Sequence, residues 1–276
     1  MAEFAGHLSL RALPSPDGRT ILADQSFRAP FHLSKPYWDA EARVLLLQVV
    51  NPTAGILAGD DLTTRLSVAA GAALLVTTPG ASRVFTMRSG EAVAHQDLRV
   101  EAGGWLEMIP EPLVTHRDAN FRQTTRLELA AGASLFYADQ WMPGRLGHGE
   151  AWTWGRLELQ LEARHSQQLV WCERMATPGP ELRALARFHG SGDEACFLNA
   201  ILAGPGLEGT ESVWRPRLEA AAPNGVWLGV TTLREQAGWN LKVVTTNPRQ
   251  LRETVRAIRT ALAPHLPYLA ADLRKL

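Results

Sequence analysis

Leu66-Ser67-Val68-Ala69-Ala70-Gly71-Ala72-Ala73-Leu74 returns twice further along the chain, as Leu98-Arg99-Val100-Glu101-Ala102-Gly103-Gly104-Trp105-Leu106 and as Leu127-Glu128-Leu129-Ala130-Ala131-Gly132-Ala133-Ser134-Leu135. The starts lie 32 and 29 residues apart, and a weaker fourth copy, Leu159 to Ala163, begins 32 residues later with Arg164 in place of the glycine. Each copy reads as an alternating strand, a tight turn and a second apolar strand. Repetition at this spacing indicates stacked units, each needing its neighbours to bury an apolar face. Gly71, Gly103 and Gly132 are predicted at positive φ, which a side chain penalises. The predicted fold is mainly β, a β-helix-like stack of strands or hairpins filling residues 1–190, with function in the loops between copies.

The flanks complete that picture. Residues 4–13 and 19–28 read as two strands around the turn Pro14 to Gly18. Val44 to Val50 is a continuous apolar run, predicted as a strand buried on both faces. Leu62, Thr64, Leu66 and Val68 point to one side of their strand, and Leu157, Leu159 and Leu161 alternate with Arg156, Glu158, Gln160 and Glu162 in the same way. Residues 191–276 read as a small C-terminal α/β layer packed on the body, the two parts forming one structural unit. It comprises a strand at 195–203, a helix at 211–221, a hairpin of 226–233 with 238–246, and a final helix opened by Asn247-Pro248. Leu251, Val255, Ile258 and Leu262 share one face of that helix. Arg249, Arg252, Arg256 and Arg259 form a second stripe, predicted to be solvated.

Composition removes several function classes. Lys and Arg total 28, as do Asp and Glu, and the resulting zero net charge argues against nucleic-acid binding. The best apolar stretch is too short to span a bilayer, and the start Met1-Ala2-Glu3-Phe4 has no secretion pattern, so a cytoplasmic protein is expected. Cys172 and Cys196 are the only cysteines, which excludes a disulfide framework. Both sit in apolar runs and are predicted to be inert core thiols. There is no GxSxG, P-loop, HExxH or dinucleotide fingerprint. Gly55 to Asp60 lacks the lysine and the following helix of a phosphate loop.

Three loops between strands remain. Asn51 to Asp61 is rich in turn formers and ends in two carboxylates. Asp60 either bonds local backbone N–H groups or faces a partner or a hydrated metal path. In Ile109 to Ala119, prolines flank Glu111 and hold the backbone extended. His116 and Asp118 are a weak metal pair if both lie on one side. Asp139 to Glu150 holds Gly144, Gly147, Gly149, Arg145, His148 and Glu150 between two strong strands. Asp139, at the end of an apolar strand, needs a partner, and Arg145 is the candidate.

These segments, in this order, resemble the urease accessory protein family called UreD or UreH. Asn51-Pro52-Thr53-Ala54-Gly55-Ile56-Leu57-Ala58-Gly59-Asp60 is similar to its Asn-Pro-x-Gly-Gly-x-x-x-Gly-Asp loop. Thr77 to Phe85 is similar to its Thr-Thr-Gln-x-x-Thr-Lys-x-Tyr segment, with Pro79, Arg83 and Phe85 as departures. Leu106 to Pro112 resembles Leu-Glu-x-Leu-Pro-x-Pro, and Gly144-Arg145 through Gly149-Glu150 resembles Gly-Arg-x-x-x-Gly-Glu. The Thr115 to Asp118 stretch departs from the apolar segment usual there. The resemblance implies a non-enzymatic scaffold that docks on apo-urease and joins the other accessory proteins, including a nickel-carrying GTPase. It implies no tightly bound cofactor but transient nickel. Carboxylate oxygens and imidazole both accept that ion, so Asp60, Asp139, Glu150 and His148 are the expected path residues. Asn51, Pro52, Gly55, Gly59, Asp61, Glu111, Gly144 and Arg145 are expected to be partner-facing or structural loop positions. From another class, a β-solenoid hydrolase would use Asp60, Asp61 or Glu111 as acid and base. A purely structural assembly protein would need none of these.

Overall fold

Stacked alternating strands leave each copy of the repeat one choice: fold back on itself, or pass to a second layer. A computed structural model, described over residues 4–188 and 190–273, shows the second. In chain order the first strands are β1 (Phe4–Pro14), β2 (Thr20–Arg28), β3 (His32–Leu33), β4 (Tyr37–Asp39), β5 (Val44–Val50), β6 (Asp60–Val68), β7 (Ala73–Thr77), β8 (Ser82–Val84) and β9 (Ala92–Val100). Then follow β10 (Trp105–Met108), β11 (Leu113–Thr115), β12 (Asn120–Leu129), β13 (Ser134–Met142), β14 (Arg156–His165) and β15 (Gln168–Met175). The rest are α1 (Gly179–Phe188), β16 (Cys196–Ala203), α2 (Glu211–Ala221), β17 (Trp227–Thr232), β18 (Trp239–Thr245) and α3 (Pro248–Leu262). Strand outweighs helix, 46% to 19%, and the strands wind a β-solenoid of about four turns.

One sheet runs β15-β14-β12-β9-β6-β1-β2 and the other β17-β18-β16-β13-β10-β7-β5-β3. The solenoid strands pair in parallel, and the repeat copies are in register. Leu66 lies beside Leu98 and Leu98 beside Leu127 in the first sheet. Leu74, Leu106 and Leu135 line up likewise in the second. Each copy is therefore a coil corner, its first strand in one sheet and its second in the other. The inward leucines and valines of both sheets meet in a shared core around Leu66, Leu74, Leu98, Leu106, Leu127 and Leu135.

The corner glycines have φ of 75°, 72° and 78° at Gly71, Gly103 and Gly132. Gly71 N–H donates to the Gly103 carbonyl at 3.2 Å and Gly103 N–H to the Gly132 carbonyl at 3.0 Å, so the corners form a hydrogen-bonded stack of their own. A Cβ on Gly103 or Gly132 would meet nothing closer than 4.0 Å, so backbone conformation and not space demands glycine. Gly103→Val is expected to lower stability by about 1–3 kcal/mol and Gly103→Asn by clearly less, because Asn tolerates this region and a β-branched residue does not. Urea denaturation checks this, and equal midpoints for the two variants would contradict it.

The fourth copy does not continue the stack. Leu127 pairs with Ala163, not Leu159, so that copy is displaced by four residues. An even displacement keeps the inward face inward. With no glycine, the chain runs on through Arg164 and turns at Ser166 and Gln167, both at positive φ. It returns as the antiparallel strand β15 in the same sheet, which ends the solenoid. Glu158 also departs from the expected wet face: Arg156 and Arg174 both bond its carboxylate and cover it, leaving 2% exposed. Cys172 is exposed and not a core thiol, whereas Cys196 is buried. Burial pushes the Cys196 thiol up to about 12.

Beyond residue 190, β16 and β18 extend the second sheet by antiparallel pairing on β13. Asn247 Oδ1 accepts from Gln250 N–H at 3.0 Å and caps α3. Leu251, Val255, Ile258 and Leu262 of α3 pack, with Trp214 and Leu218 of α2, on the outer face of the second sheet. The arginine stripe is solvated only in part. Arg252 and Arg256 are exposed, but Arg259 is buried and bonds the fully buried Glu107 of β10 at 2.7 Å. The helix α1, which begins between Pro178 and Pro180, was not expected; Leu182 and Ala186, four residues apart, are its buried face.

Candidate functional site

The three loops stack at the solenoid end opposite the glycine corners. Ile56 forms a bridge with Val84, β8 pairs with β11, and β11 pairs with β13. Asn51 Oδ1 accepts from the Thr53 N–H and hydroxyl at 2.9 and 2.6 Å, which turns the chain after the exposed Pro52. Gly55 is buried against Arg83, while Gly59 lets the loop re-enter β6. Asp60 is 8% exposed, and its Oδ2 accepts from Leu57 N–H at 2.8 Å. Burial raises its pKa, with the Leu57 bond opposing. Asp61 points outward.

In the third loop Arg145 grips Glu150 with two bonds, Nε to Oε2 at 2.9 Å and Nη2 to Oε1 at 2.6 Å. Those bonds hold the Glu150 carboxyl down at about 2. Gly144 passes so close that a Cβ would lie 2.5 Å from the Glu150 carbonyl and 3.0 Å from that of Thr115. His148 is exposed. His116 turns into the stack, its ring 4.5 Å from Phe85, while Asp118 faces solvent at φ 56°. That turn between them separates the expected metal pair. Arg145 is thus committed to Glu150, and the expected Asp139–Arg145 pair does not form.

Asp139 points instead between the two sheets. Tyr137 Oη donates to its Oδ1 at 2.7 Å and Gln123 Nε2 to the same oxygen at 3.0 Å. Among the described residues no hydrogen bond reaches Oδ2. Thr125 Oγ1 lies 3.2 Å from the Tyr137 oxygen and 3.3 Å from Gln96 Oε1, extending the polar cluster. Burial raises the Asp139 pKa to about 6; the Tyr137 and Gln123 bonds oppose this, and nearby Glu173 adds to it. Cavities adjoin Asp139 on both sides. One, of about 150 Å³, is lined by Gln96, Gln123, Thr77, Thr78, Glu111 and Gln140 among mostly apolar neighbours. The other, of about 10 Å³, is lined by Asn199, Glu173 and apolar side chains. Thr77, Glu111 and Gln140 also line an open basin of about 650 Å³ beside α3.

The result is a polar seam through an apolar interior. Thr64, Gln96 and Thr125 sit side by side on β6, β9 and β12, and their row continues through Leu161 to Glu173. Opposite it, Asp139, Asn199 and Lys242 form a row across β13, β16 and β18. A partly buried carboxylate with a free oxygen, spaced from the next by cavities, can take up a cation and release it; among the described residues no three His, Cys, Asp or Glu side chains converge into a cage.

A sequence profile for the UreD urease accessory protein matches residues 5–275. The chain belongs to the UreD family. The urease accessory protein UreD of Opitutus terrae is 56% identical over 274 residues, which is 99% of this chain and all of that protein. UreD of Cupriavidus metallidurans is 32% identical over 171 residues, 62% of this chain and 58% of the relative. UreD of Yersinia enterocolitica is 38% identical over 146 residues, 52% of this chain and 45% of the relative.

Within this UreD-family fold the expected site residues fall into two places. Asp139 and Glu111 line the interior cavity, whereas Asp60, Arg145, His148 and Glu150 belong to the loop stack. Gln96, Gln123, Tyr137, Glu173 and Lys242 were not expected at a site. A signal for three seam members exists in the sequence: Thr64, Gln96 and Thr125 each stand two residues before a repeat start, at an inward position where the apolar alternation breaks.

Proposed function

We propose that this chain is a non-enzymatic urease maturation scaffold. It docks on apo-urease, joins the other accessory proteins including a nickel-carrying GTPase, and passes nickel along the interior seam. Its place is the cytoplasm; no helix among the described residues is long and apolar enough to cross a membrane. Family membership supports the urease role. The observation that carries the passage is Asp139, a carboxylate set between cavities inside an apolar sandwich, with one oxygen held and the other free. A carboxylate drawn in from solvent without a cationic partner is costly, and Tyr137 and Gln123 satisfy only one of its oxygens. Nickel is cargo here: Asp139 takes it through Oδ2 while Tyr137 and Gln123 fix the carboxylate orientation. Asp60 and Glu111 offer oxygens nearer the loop end, and Glu173 lies across the small cavity. The loop stack, fixed by the Arg145–Glu150 pair, supplies a rigid outer surface for a partner.

The test is capture on immobilised apo-urease with the remaining accessory proteins, followed by metal analysis. The wild-type chain is expected in the complex, and Asp60→Ala with Asp139→Ala is expected to assemble equally but deliver at least about tenfold less nickel. Normal nickel delivery by the double variant would overturn the passage and leave a structural assembly role. Failure to bind any urease component, with turnover of an amide or glycoside instead, would favour a hydrolase.

A further inference from the structure

The seam has a cation already standing at one end. Lys242 Nζ lies 2.5 Å from Glu173 Oε1, while Trp171 Nε1 donates to Oε2 at 3.3 Å. Glu173 lines the small cavity together with Asp139 and Asn199. Lys242 belongs to the row that begins at Asp139 and passes through Asn199. Its side chain is 46% exposed and that of Glu173 is 17% exposed, so the pair closes the seam between the edge strand β15 of the first sheet and β18, next to the edge of the second. On the other side, the in-register neighbour of Lys242 on β17 is Gly229, which has no side chain to hold the lysine stem.

An exposed Lys–Glu pair contributes little to stability, and a flexible four-carbon stem swings at little cost. At this position its charge has a consequence for traffic. A divalent ion leaving Asp139 for Glu173 meets an ammonium on the same carboxylate oxygen, and both cannot occupy it. A divalent cation attracts the carboxylate twice as strongly as a monovalent one at equal distance, so it can displace the lysine where sodium or potassium cannot.

We propose that Lys242 is a resident counter-cation that gates this end of the seam, its ammonium holding on Glu173 the place that nickel takes in transit. The proposal rests on the passage reading above. Nickel arrival displaces Lys242 into solvent, and its departure lets the pair re-form. No bond other than the ion contacts is made or broken.

The gate itself is tested without urease. The full chain is labelled with fluorotryptophan, the Trp171 resonance is assigned with Trp171→Phe, and Ni²⁺ alone is titrated while fluorine NMR records paramagnetic broadening. Lys242→Met is expected to broaden the Trp171 line at about tenfold less nickel than wild type. Lys242→Arg, which retains the charge on Glu173, is expected to need at least as much nickel as wild type, and Glu173→Gln to abolish the broadening. Equal unfolding midpoints show that the variants keep the fold. An unchanged nickel requirement in Lys242→Met overturns the gate, as does an absence of Trp171 broadening in every variant. Urease nickel content with Asp139→Asn separates the two ideas: if it falls while Lys242→Met behaves as wild type, the passage stands and the gate alone is wrong.

Discussion

Arg259→Leu is expected to destabilise the protein by about 3–5 kcal/mol, the cost of leaving one partner of a buried ion pair alone. Arg259 is 8% exposed and Glu107 not at all. Nε bonds Oε1 at 2.7 Å, Nη2 lies 3.3 Å from Oε2, and Nη2 also donates to the Ala271 carbonyl at 3.0 Å. One guanidinium thus joins α3, the C-terminal turn and the second sheet. Burial raises the Glu107 pKa, and Arg259 opposes that rise by charge and hydrogen bonding. Without Arg259 the carboxyl takes up a proton more readily, so the variant should lose further stability as pH rises. The double variant Glu107→Leu with Arg259→Leu removes both charges and should recover most of the loss. Urea denaturation of the four forms measures this; a single variant within about 1 kcal/mol of wild type would show that the pair does not anchor the layer.

The second large effect is at Asp139, where stability and function should move in opposite directions. Its carboxyl titrates at about 6 in the fold against 3.8 ordinarily. Between those values the folded state holds a proton that the unfolded state has lost, so stability falls as pH rises from about 4 to 6 and then levels. Asp139→Asn keeps an oxygen to accept from Tyr137 and Gln123 and carries no charge. It should remove that decline and gain up to about 3 kcal/mol above pH 6. The same variant should lose nickel delivery. In the wild type, protons compete with the ion, so delivery should weaken below about pH 6. Parallel melting and delivery series across pH check both signs; a variant less stable than wild type at neutral pH would mean that the carboxylate is a structural pair member.

The coil was legible because its corners repeat. Glycine with positive φ, flanked by alternating leucines, marks the same place in three successive turns, and each copy needs the next to cover it. The C-terminal elements were legible for local reasons, the Asn247 cap and the α3 face. What failed was long-range. The fourth copy kept its alternation but lost the corner, and alternation alone does not set register. Arg259 shares a helical stripe with Arg252 and Arg256, and nothing within α3 reveals that Glu107 lies beneath it. Arg145 is close to Asp139 in sequence, but a strand alternates its faces, and Asp139 goes inward while Arg145 finds Glu150 within its own loop. The seam is assembled from β6, β9, β12, β13, β15, β16 and β18, and only its Thr64, Gln96 and Thr125 members carry a phase mark in the sequence.

The central claim is that nickel enters the interior at Asp139. Crystals of the full chain soaked in Ni²⁺ at about pH 7.5, where that carboxylate is ionised, and measured at the nickel absorption edge test it most directly. A peak in the anomalous difference map about 2.1 Å from Asp139 Oδ2, absent in Asp139→Asn crystals, is the expected result. Nickel confined to exposed groups such as His148, with the space beside Asp139 empty at the same soak concentration, would contradict the account.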